Sequence, residues 1–311
     1  KVTAVPAGDS TSHTYAQSLI LPTTWKTEVN ALLPSGKTVF NNLSRIYFFD
    51  DITQIEGVSV TYTNLGKLST NIDVYYYEEE GVLAFYAPMK IKLPANSSNL
   101  FSNLSIKTIN IKNTSTSGVT NMSWMFANCS RLTGVNFGDL DTSSVTNMSY
   151  MFYNCSSMIG VYMVNQNTSN VTNMAAMFSG CSSLTLVNAL TESDIANTYS
   201  IEFNTKNVIN MSSMFENCSS LTGGGDKCLN FNFSTEKVKD FSRMFAGCSK
   251  IENFAFNYIT FASAVNLNAM FKNCKSAVQI CFYFENETTG ENITNMSSMF
   301  AGCILLETIK N

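Results

Sequence analysis

One eleven-residue phrase, Val119–Cys129, occurs in seven copies along the chain and limits the folds open to it. The copies end at Cys129, Cys155, Cys181, Cys218, Cys248, Cys274 and Cys303. Neighbouring copies are therefore 26, 26, 37, 30, 26 and 29 residues apart. A phrase that returns at a short period indicates a solenoid, in which each repeat is one coil, and a period in the twenties is typical of leucine-rich repeats.

Each copy carries four apolar residues at the spacing i, i+3, i+4 and i+7. In the first copy this stripe is Met122, Met125, Phe126 and Cys129. The spacing predicts the buried face of a short α-helix. The residue ahead of the stripe is Asn or Asp in every copy, as in Asn121. It predicts a helix N-cap, and an Asn there could also form a ladder to the next coil.

The apolar spacing changes after each cysteine. Leu132, Val135 and Phe137 follow Cys129 by three, six and eight residues, and the last two alternate as a short strand requires. A polar turn, residues 141–144, leads to the next copy. We therefore predict an α/β fold, a leucine-rich-repeat-like right-handed solenoid with a parallel β-sheet on one face and short helices on the other.

The chain divides into two predicted parts. Residues 1–95 are predicted to form an N-terminal helix/β cap continuous with the solenoid. Residues 96–311 are predicted to form the repeat solenoid, with a degenerate first repeat at about 96–118 and then the seven copies.

Three elements are predicted within the cap. Trp25–Leu33 has a helical pattern that ends at Pro34. Arg45–Phe49 is predicted to be the first rung of the sheet. Ile72–Tyr77 and Val82–Tyr86 flank an acidic turn and predict a β-hairpin.

The phrase Val-Thr-Asn-Met-Ser-x-Met-Phe-x-x-Cys-Ser-x-Leu, with Asp-Thr-Ser ahead of it, resembles the BspA-like leucine-rich repeat of bacterial surface proteins. The version is the one of roughly 26 residues, often classed as a bacterial domain of unknown function. The resemblance covers residues 119–311 directly. It implies a secreted or cell-surface bacterial protein, and some members of that family are described as adhesins that bind host proteins.

Composition excludes several classes of protein. The net charge is −4 and 14% of residues are charged, so no basic stripe predicts nucleic-acid binding. No apolar run approaches eighteen residues, which predicts no transmembrane segment. The chain opens Lys1-Val2-Thr3-Ala4 without a signal peptide. We expect a secreted or surface location, with the signal and the anchor outside this chain.

The nine cysteines are predicted to be free thiols. Seven belong to the buried stripe, where Cys packs as a small hydrophobe. Helices on the outer face of a curved stack should stand further apart than the strands, beyond the reach of a disulfide. The other two, Cys228 and Cys281, are two rungs or roughly 10 Å apart.

No residue pattern predicts catalysis. The single histidine, His13, has no Cys or Ser partner in the pattern, and Gly223–Gly225 lacks the Lys-Ser/Thr of a phosphate loop. Asp139 and Asp141 fall short of a calcium loop and are typical of a turn. We therefore expect a protein that is not an enzyme and that binds no cofactor or metal.

The outward face of the predicted sheet is the candidate binding surface. Its polar and aromatic residues are Asn136, Tyr162, Asn188, Asn253, Asn257, Gln279 and Tyr283. Amides and tyrosines without charge suit a neutral peptide or a glycan, and a merely solvated face stays open as an alternative. Val164, Leu186 and Leu190 add an apolar strip that favours a protein partner.

The leading interpretation is a secreted or cell-surface repeat protein that binds or adheres to a macromolecule, a host or community protein. The alternatives are a glycan-binding module and an architectural spacer without a ligand of its own. Insertions at 190–200 and 223–227 are loops that could tune binding or be inert. Self-association through the uncapped C-terminal end, where the last strand presents an open edge, is a further expectation.

Overall fold

The computed structural model contains one α-helix and fifteen strands among the residues that it describes. These are residues 19–35, 37–51, 62–111, 113–137, 140–162, 166–188, 200–201, 204–222, 228–232, 234–257, 259–283 and 290–310. The helix is α1 (Trp25–Leu32). The strands are β1 (Arg45–Phe49), β2 (Thr63–Lys67), β3 (Asp73–Tyr77), β4 (Val82–Tyr86), β5 (Ile91–Lys92), β6 (Thr108–Asn110), β7 (Thr114–Ser115), β8 (Gly134–Asn136), β9 (Gly160–Tyr162), β10 (Leu186–Asn188), β11 (Ser200–Ile201), β12 (Cys228–Asn232), β13 (Asn253–Asn257), β14 (Gln279–Tyr283) and β15 (Thr308–Lys310).

The strands of successive repeats pair in parallel. β1 pairs with β6 and β6 with β8, β9 pairs with β10, and β11 to β15 form one five-stranded sheet in chain order. The predicted parallel pairing of the strands is therefore confirmed, in separate sheets. The right-handed solenoid with one sheet along one face stays a prediction.

The N-terminal elements join the same sheet. β3 and β4 form the predicted hairpin, antiparallel, and β4 pairs in parallel with β1, the predicted first rung. The predicted helix is also confirmed as α1, whose Trp25 is fully buried and donates its indole N–H to the Leu100 carbonyl over 2.9 Å. The boundary predicted at residue 95 stays a prediction.

The predicted helix over the Met-Met-Phe-Cys stripe is wrong. We call this segment of each copy, residues 122–129 in the first, the turn ribbon. In the first six copies, every second N–H of the turn ribbon donates to a carbonyl of the next coil. In the first copy these bonds run from Met122, Trp124, Phe126 and Asn128 to Asn147, Ser149, Met151 and Tyr153 over 2.7–3.0 Å. An α-helix would instead satisfy these N–H groups within its own segment.

The intervening N–H groups close tight turns within the coil. Met125 donates to the Met122 carbonyl and Cys129 to the Phe126 carbonyl, each three residues back. The second inner residue of each turn, Trp124 and Asn128, has a positive φ of 59° and 60°. A positive φ at this position is the signature of a type II turn and is incompatible with an α-helix. Chains of turns thus replace the helices.

The stripe is nevertheless the core, as predicted. In the first copy Met122, Met125, Phe126 and Cys129 are at most 1% exposed. The phenylalanines of successive coils stack in one column, with ring centroids 5.5–5.8 Å apart and interplanar angles of 6–12°. This column is Phe101, Phe126, Phe152, Phe178, Phe215, Phe245, Phe271 and Phe300.

The Asn or Asp ahead of each stripe makes the local bond expected of a cap. Asn121 Oδ1 accepts the N–H of Ser123 over 2.9 Å, and the other six copies repeat this contact over 2.8–3.1 Å. The backbones at this position form parallel bridges from coil to coil. The predicted hydrogen bond is confirmed, although it opens a turn and not a helix.

The residue before each cysteine is Asn or Gly because its φ is positive. Asn128 and Asn154 have φ of 60° and 57°, and Gly180 has 79°. Asn154 Nδ2 donates to Asn128 Oδ1 over 3.3 Å. A Cβ at Gly180 would lie 2.2 Å from Asn154 Oδ1. The side-chain ladder therefore stops at the glycine.

The last coil exposes several apolar side chains. Met296, Ile304, Leu305 and Ile309 are 51–76% exposed. Self-association through this end stays a prediction.

Phe152→Ala should destabilise the protein more than Phe300→Ala. Phe152 is fully buried between Phe126 and Phe178, whereas half-buried Phe300 stacks on Phe271. We expect losses in the free energy of unfolding of about 3–5 kcal/mol for Phe152→Ala and about 1–2 kcal/mol for Phe300→Ala. Urea denaturation followed by circular dichroism measures both. Equal losses would contradict the stacked column.

Gly180→Ala should cost more stability than Gly118→Ala. Both glycines have φ of 79°, so both variants carry the left-handed strain of about 1–2 kcal/mol. A Cβ at Gly118 meets nothing within 4 Å, whereas one at Gly180 meets Asn154. The difference in melting temperature isolates the clash. Combining Gly180→Ala with Asn154→Ala should be less harmful than the sum of the two single changes, and strict additivity would refute the contact.

Candidate functional site

The strand register brings most of the predicted outward-face residues together. Asn253 pairs with Gln279 and Asn257 with Tyr283 between β13 and β14. Tyr162 pairs with Asn188 between β9 and β10. Asn136 pairs with Asn110 of β6. Six of the seven residues thus form three cross-strand neighbours, which place their Cα atoms one strand spacing apart, about 4.8 Å.

The described side chains of this set differ in exposure. Tyr283 is 53% exposed, and Asn253 and Gln279 are half-buried. Gln279 Nε2 donates to Cys281 Sγ over 2.6 Å. The side chains of Asn136, Tyr162, Asn188 and Asn257 lie outside the described part of the structure.

Strand alternation places two small residues on the same side of the sheet as Asn253 and Gln279, and both are buried. Ala255 and Cys281 are 7% and 3% exposed and pair with each other across β13 and β14. The side chain of each is shorter than the side chains two positions before and after it in its strand. They therefore form the floor of the face, while Tyr283 stands above it.

Sequence reasoning missed one charged residue on this face. Lys310 of β15 pairs with Cys281 and is exposed, so it adds a positive charge at the edge of a surface predicted to be neutral. The spacing after Cys303 could have revealed it, because Lys310 follows Ile309, the partner of buried Ile280, by one residue.

Several other expectations fall on residues that the structure does not describe. These are Val164, Leu190, His13, Asp139, the run Gly223–Gly225 and most of the 190–200 insertion.

Sequence reasoning also missed an aromatic cluster on the outward face of the N-terminal strands. Tyr75 pairs with Ala84, which pairs with Tyr47. Tyr75 and Ala84 are 4% and 0% exposed, and Phe49, Tyr62 and Tyr86 pack against them. Alternating aromatics in Arg45–Phe49 and Asp73–Tyr77 were the available signal. Because its centre is buried, this cluster is a second small core.

The stripe cysteines are fixed by hydrogen bonds to the neighbouring coil. Cys155 Sγ donates to the Phe126 carbonyl over 3.1 Å, and the other six stripe thiols donate in the same way over 3.0–3.2 Å. The eight cysteines whose side chains the structure describes are free, as predicted. The side chain of Cys228 lies outside the described part of the structure. The predicted wide separation of the coils on the cysteine side is wrong. The segments there are turn ribbons that pair directly, and they do not stand apart as helices would.

Burial makes these thiols poor nucleophiles. Desolvation raises the pKa of Cys129 to about 11 and that of Cys181 to about 12. The thiolate is the reactive form of cysteine, so it is scarce at neutral pH. Cys303 differs, since it is half-buried and a hydrogen bond with Cys274 lowers its pKa.

Within the described ranges, no three His, Cys, Asp or Glu side chains are grouped so that they could hold a metal ion. In the same ranges, no helix is long and apolar enough to cross a bilayer.

The repeats match a known family. The chain belongs to the family described as "Mycoplasma protein of unknown function, DUF285", which matches residues 95–200 and 188–284, more than half of the sequence. This agrees with the resemblance to bacterial repeat proteins of unassigned activity. No curated protein matches the chain.

One solved structure is similar to the chain at low identity. It is a leucine-rich cell surface protein from Faecalibacterium prausnitzii A2-165, with 12% sequence identity and a TM-score of 0.23. The match covers 86% of this chain and 88% of that one.

The buried thiols predict a loss of stability at alkaline pH. Because the folded state raises their pKa above the ordinary value of 9.0, it holds these protons more tightly than the unfolded chain does. The stabilisation is complete below about pH 9 and is lost as pH rises through about 11 for Cys129 and about 12 for Cys181.

Urea midpoints between pH 8 and 11 measure this effect, with Cys181→Ala as the matched control for the other alkaline groups. Above about pH 9, the free energy of unfolding should fall less steeply with pH in Cys181→Ala than in the parent chain. The difference should be about 1.4 kcal/mol per pH unit. An unchanged slope in Cys181→Ala would contradict the assignment.

Proposed function

We propose that the chain is a secreted or cell-surface bacterial repeat protein that binds a macromolecular partner, a host or community protein, through the outward face of its parallel sheet. The observation that carries this proposal is the register of β13 and β14, which sets Asn253 beside Gln279 and Asn257 beside Tyr283. Paired amides with an exposed tyrosine are suited to hydrogen bonding and apolar contact with a neutral partner.

The size of the surface supports a partner that contacts many coils. A specific protein interface covers about 800 Å² on each partner. The six intervals between seven coils, at about 4.8 Å each, span about 29 Å. A partner must therefore lie along the row of strands from β8 to β15 to bury such an area.

The chemistry of the core supports a binding role and not a catalytic one. Each stripe thiol donates its proton to a backbone carbonyl, and burial raises the pKa of thiols such as Cys155 and Cys218 well above the ordinary value. A nucleophile needs the opposite, an accessible group with a lowered pKa. We propose that the chain is not an enzyme.

Asn253→Arg combined with Tyr283→Ala should weaken binding to the partner. The arginine adds bulk and charge to the pair with Gln279, and the alanine removes the exposed ring. We expect at least about a tenfold loss of binding to host cells, measured by flow cytometry with labelled protein. The double variant should keep its melting temperature, because both positions lie outside the core.

Lys272→Ala is the matched control, since Lys272 lies on the turn ribbon and not on the sheet. It should bind like the parent chain. If the sheet variant also binds like the parent, the sheet face is not the binding surface. Inhibition by free neutral oligosaccharides would favour the glycan-binding alternative, and failure to bind any cell type would favour the spacer.

A further inference from the structure

The last of the seven stripe thiols differs from the others in its exposure. The first six are fully buried. They are Cys129, Cys155, Cys181, Cys218, Cys248 and Cys274. Cys303 is half-buried, and the two residues after it, Ile304 and Leu305, are 76% and 53% exposed. Of the seven stripe thiols, solvent therefore reaches the last one.

The backbone holds Cys303 one coil away from Cys274. Just before the two cysteines, the Asn273 N–H donates to the Ala301 carbonyl over 2.8 Å. Coils that pair in this way are about 4.8 Å apart. Disulfide-bonded cysteines have Cα atoms about 4.4–6.8 Å apart. The backbones of the last two coils therefore already have the separation that a disulfide requires.

One carbonyl brings the two cysteines together. The Phe271 oxygen accepts the N–H of Cys274 over 3.1 Å and the thiol of Cys303 over 3.0 Å. The two thiols are also hydrogen-bonded to each other, which lowers the pKa of Cys303 below its ordinary value. Burial instead raises the pKa of the five stripe thiols that precede Cys274. Cys303 thus has more thiolate at neutral pH than those five.

The last turn ribbon makes its coil-to-coil bonds on one side. Its carbonyls accept bonds from the sixth coil, as the Met299 carbonyl does from the Phe271 N–H over 2.9 Å. Among the described residues, none accepts the N–H of Met296, Ser298 or Phe300. An approach of this coil to the sixth therefore breaks no ribbon bond on its other side within the described part of the chain.

We propose that Cys303 and Cys274 form a thiol modification site, which reacts with small-molecule disulfides and closes into a disulfide between the last two coils. Cys303 is the attacking thiol because solvent reaches it. Cys274 is the resolving thiol because it is fully buried and lies against Cys303. The reaction fixes the last coil to the sixth by a covalent bond.

The reaction has two exchange steps, and its oxidant is the small disulfide. The Cys303 thiolate attacks one sulfur of the reagent, so a mixed disulfide forms, the S–S bond of the reagent breaks and one small thiol leaves. Cys274 then loses its proton to water and attacks the Cys303 sulfur, so the mixed disulfide breaks and the second small thiol leaves. Two cysteine thiols are oxidised, and one small disulfide is reduced to two thiols.

Mass mapping of the folded parent chain tests the site. Iodoacetamide should label Cys303 at least about a hundredfold faster than Cys129, which has a pKa of about 11 and about a hundredth of the thiolate of a thiol at 9.0. Oxidised glutathione should first add at Cys303. Non-reducing digests should then contain the two peptides joined through Cys274 and Cys303, lighter by two hydrogen atoms.

Three variants separate the two roles. Cys303→Ser should give neither the adduct nor the cross-link. Cys274→Ala should form the adduct at Cys303 and keep it, because no resolving thiol is present. Cys155→Ala is the matched control, since it removes a buried stripe thiol four coils away from Cys274. It should form the cross-link at the rate of the parent chain.

Melting temperatures establish that each variant is folded. The proposal is overturned if iodoacetamide labels Cys303 no faster than Cys129 in the folded parent chain. It is also overturned if the glutathione adduct at Cys303 persists in the parent as it does in Cys274→Ala, or if the cross-link joins other stripe cysteines.

Discussion

Backbone pairing between turn ribbons sets the spacing of the whole stack. Because every second N–H of a ribbon bonds to the next coil, the side of each coil opposite the sheet is held at a hydrogen-bonded distance as well. A stack with helices on one side would splay there, since packed helices are 8–10 Å apart. Here the phenylalanine rings follow one another at 5.5–5.8 Å, and the thiols can reach the carbonyls of the preceding coil. Both columns depend on this short spacing.

The same pairing explains how repeats of unequal length are accommodated. The cysteines of the third and fourth copies are 37 residues apart, not 26. Yet Met174 donates to Asn210 over 3.0 Å and Phe178 to Met214 over 2.9 Å, in the register of the shorter repeats. The additional residues must therefore leave the coil elsewhere. The ribbon fixes the register, and the connections absorb the differences in length.

The sequence was sufficient to predict which side chains are buried, but not the backbone that buries them. Met122, Met125, Phe126 and Cys129 have the spacing of a helical face, and a chain of turns buries the same four residues. The signal that distinguishes a chain of turns from a helix was the residue before each cysteine. It is Asn in some copies, as at Asn128 and Asn154, and Gly in others, as at Gly180. Asn and Gly share a tolerance for positive φ, which no interior position of a helix requires.

That misreading of the backbone also concealed the stacking of Trp124 on Tyr150. Both residues have a positive φ, 59° and 58°, which an α-helix does not provide. The sheet face was easier to predict, because strand alternation and parallel register alone place Asn253 beside Gln279. The positive charge on this face was harder to predict. Lys310 belongs to the last coil, which follows the pattern of the earlier repeats over the fewest residues.

The turn ribbon separates the residues that hold the coils together from those at its second inner turn position. The second inner position of each first turn carries Trp, Tyr, Ala, Ser, Arg, Ala and Ser in the seven copies, and φ stays between 51° and 59° throughout. These residues are Trp124, Tyr150, Ala176, Ser213, Arg243, Ala269 and Ser298. The cost of the left-handed conformation, about 1–2 kcal/mol for a residue with a Cβ, is nearly the same for each. The coil-to-coil bonds at this position come from the backbone, so the side chain can change with little effect on stacking. A chain built in this way can therefore acquire a binding surface one side chain at a time, while its methionines, phenylalanines and cysteines keep the coils in register.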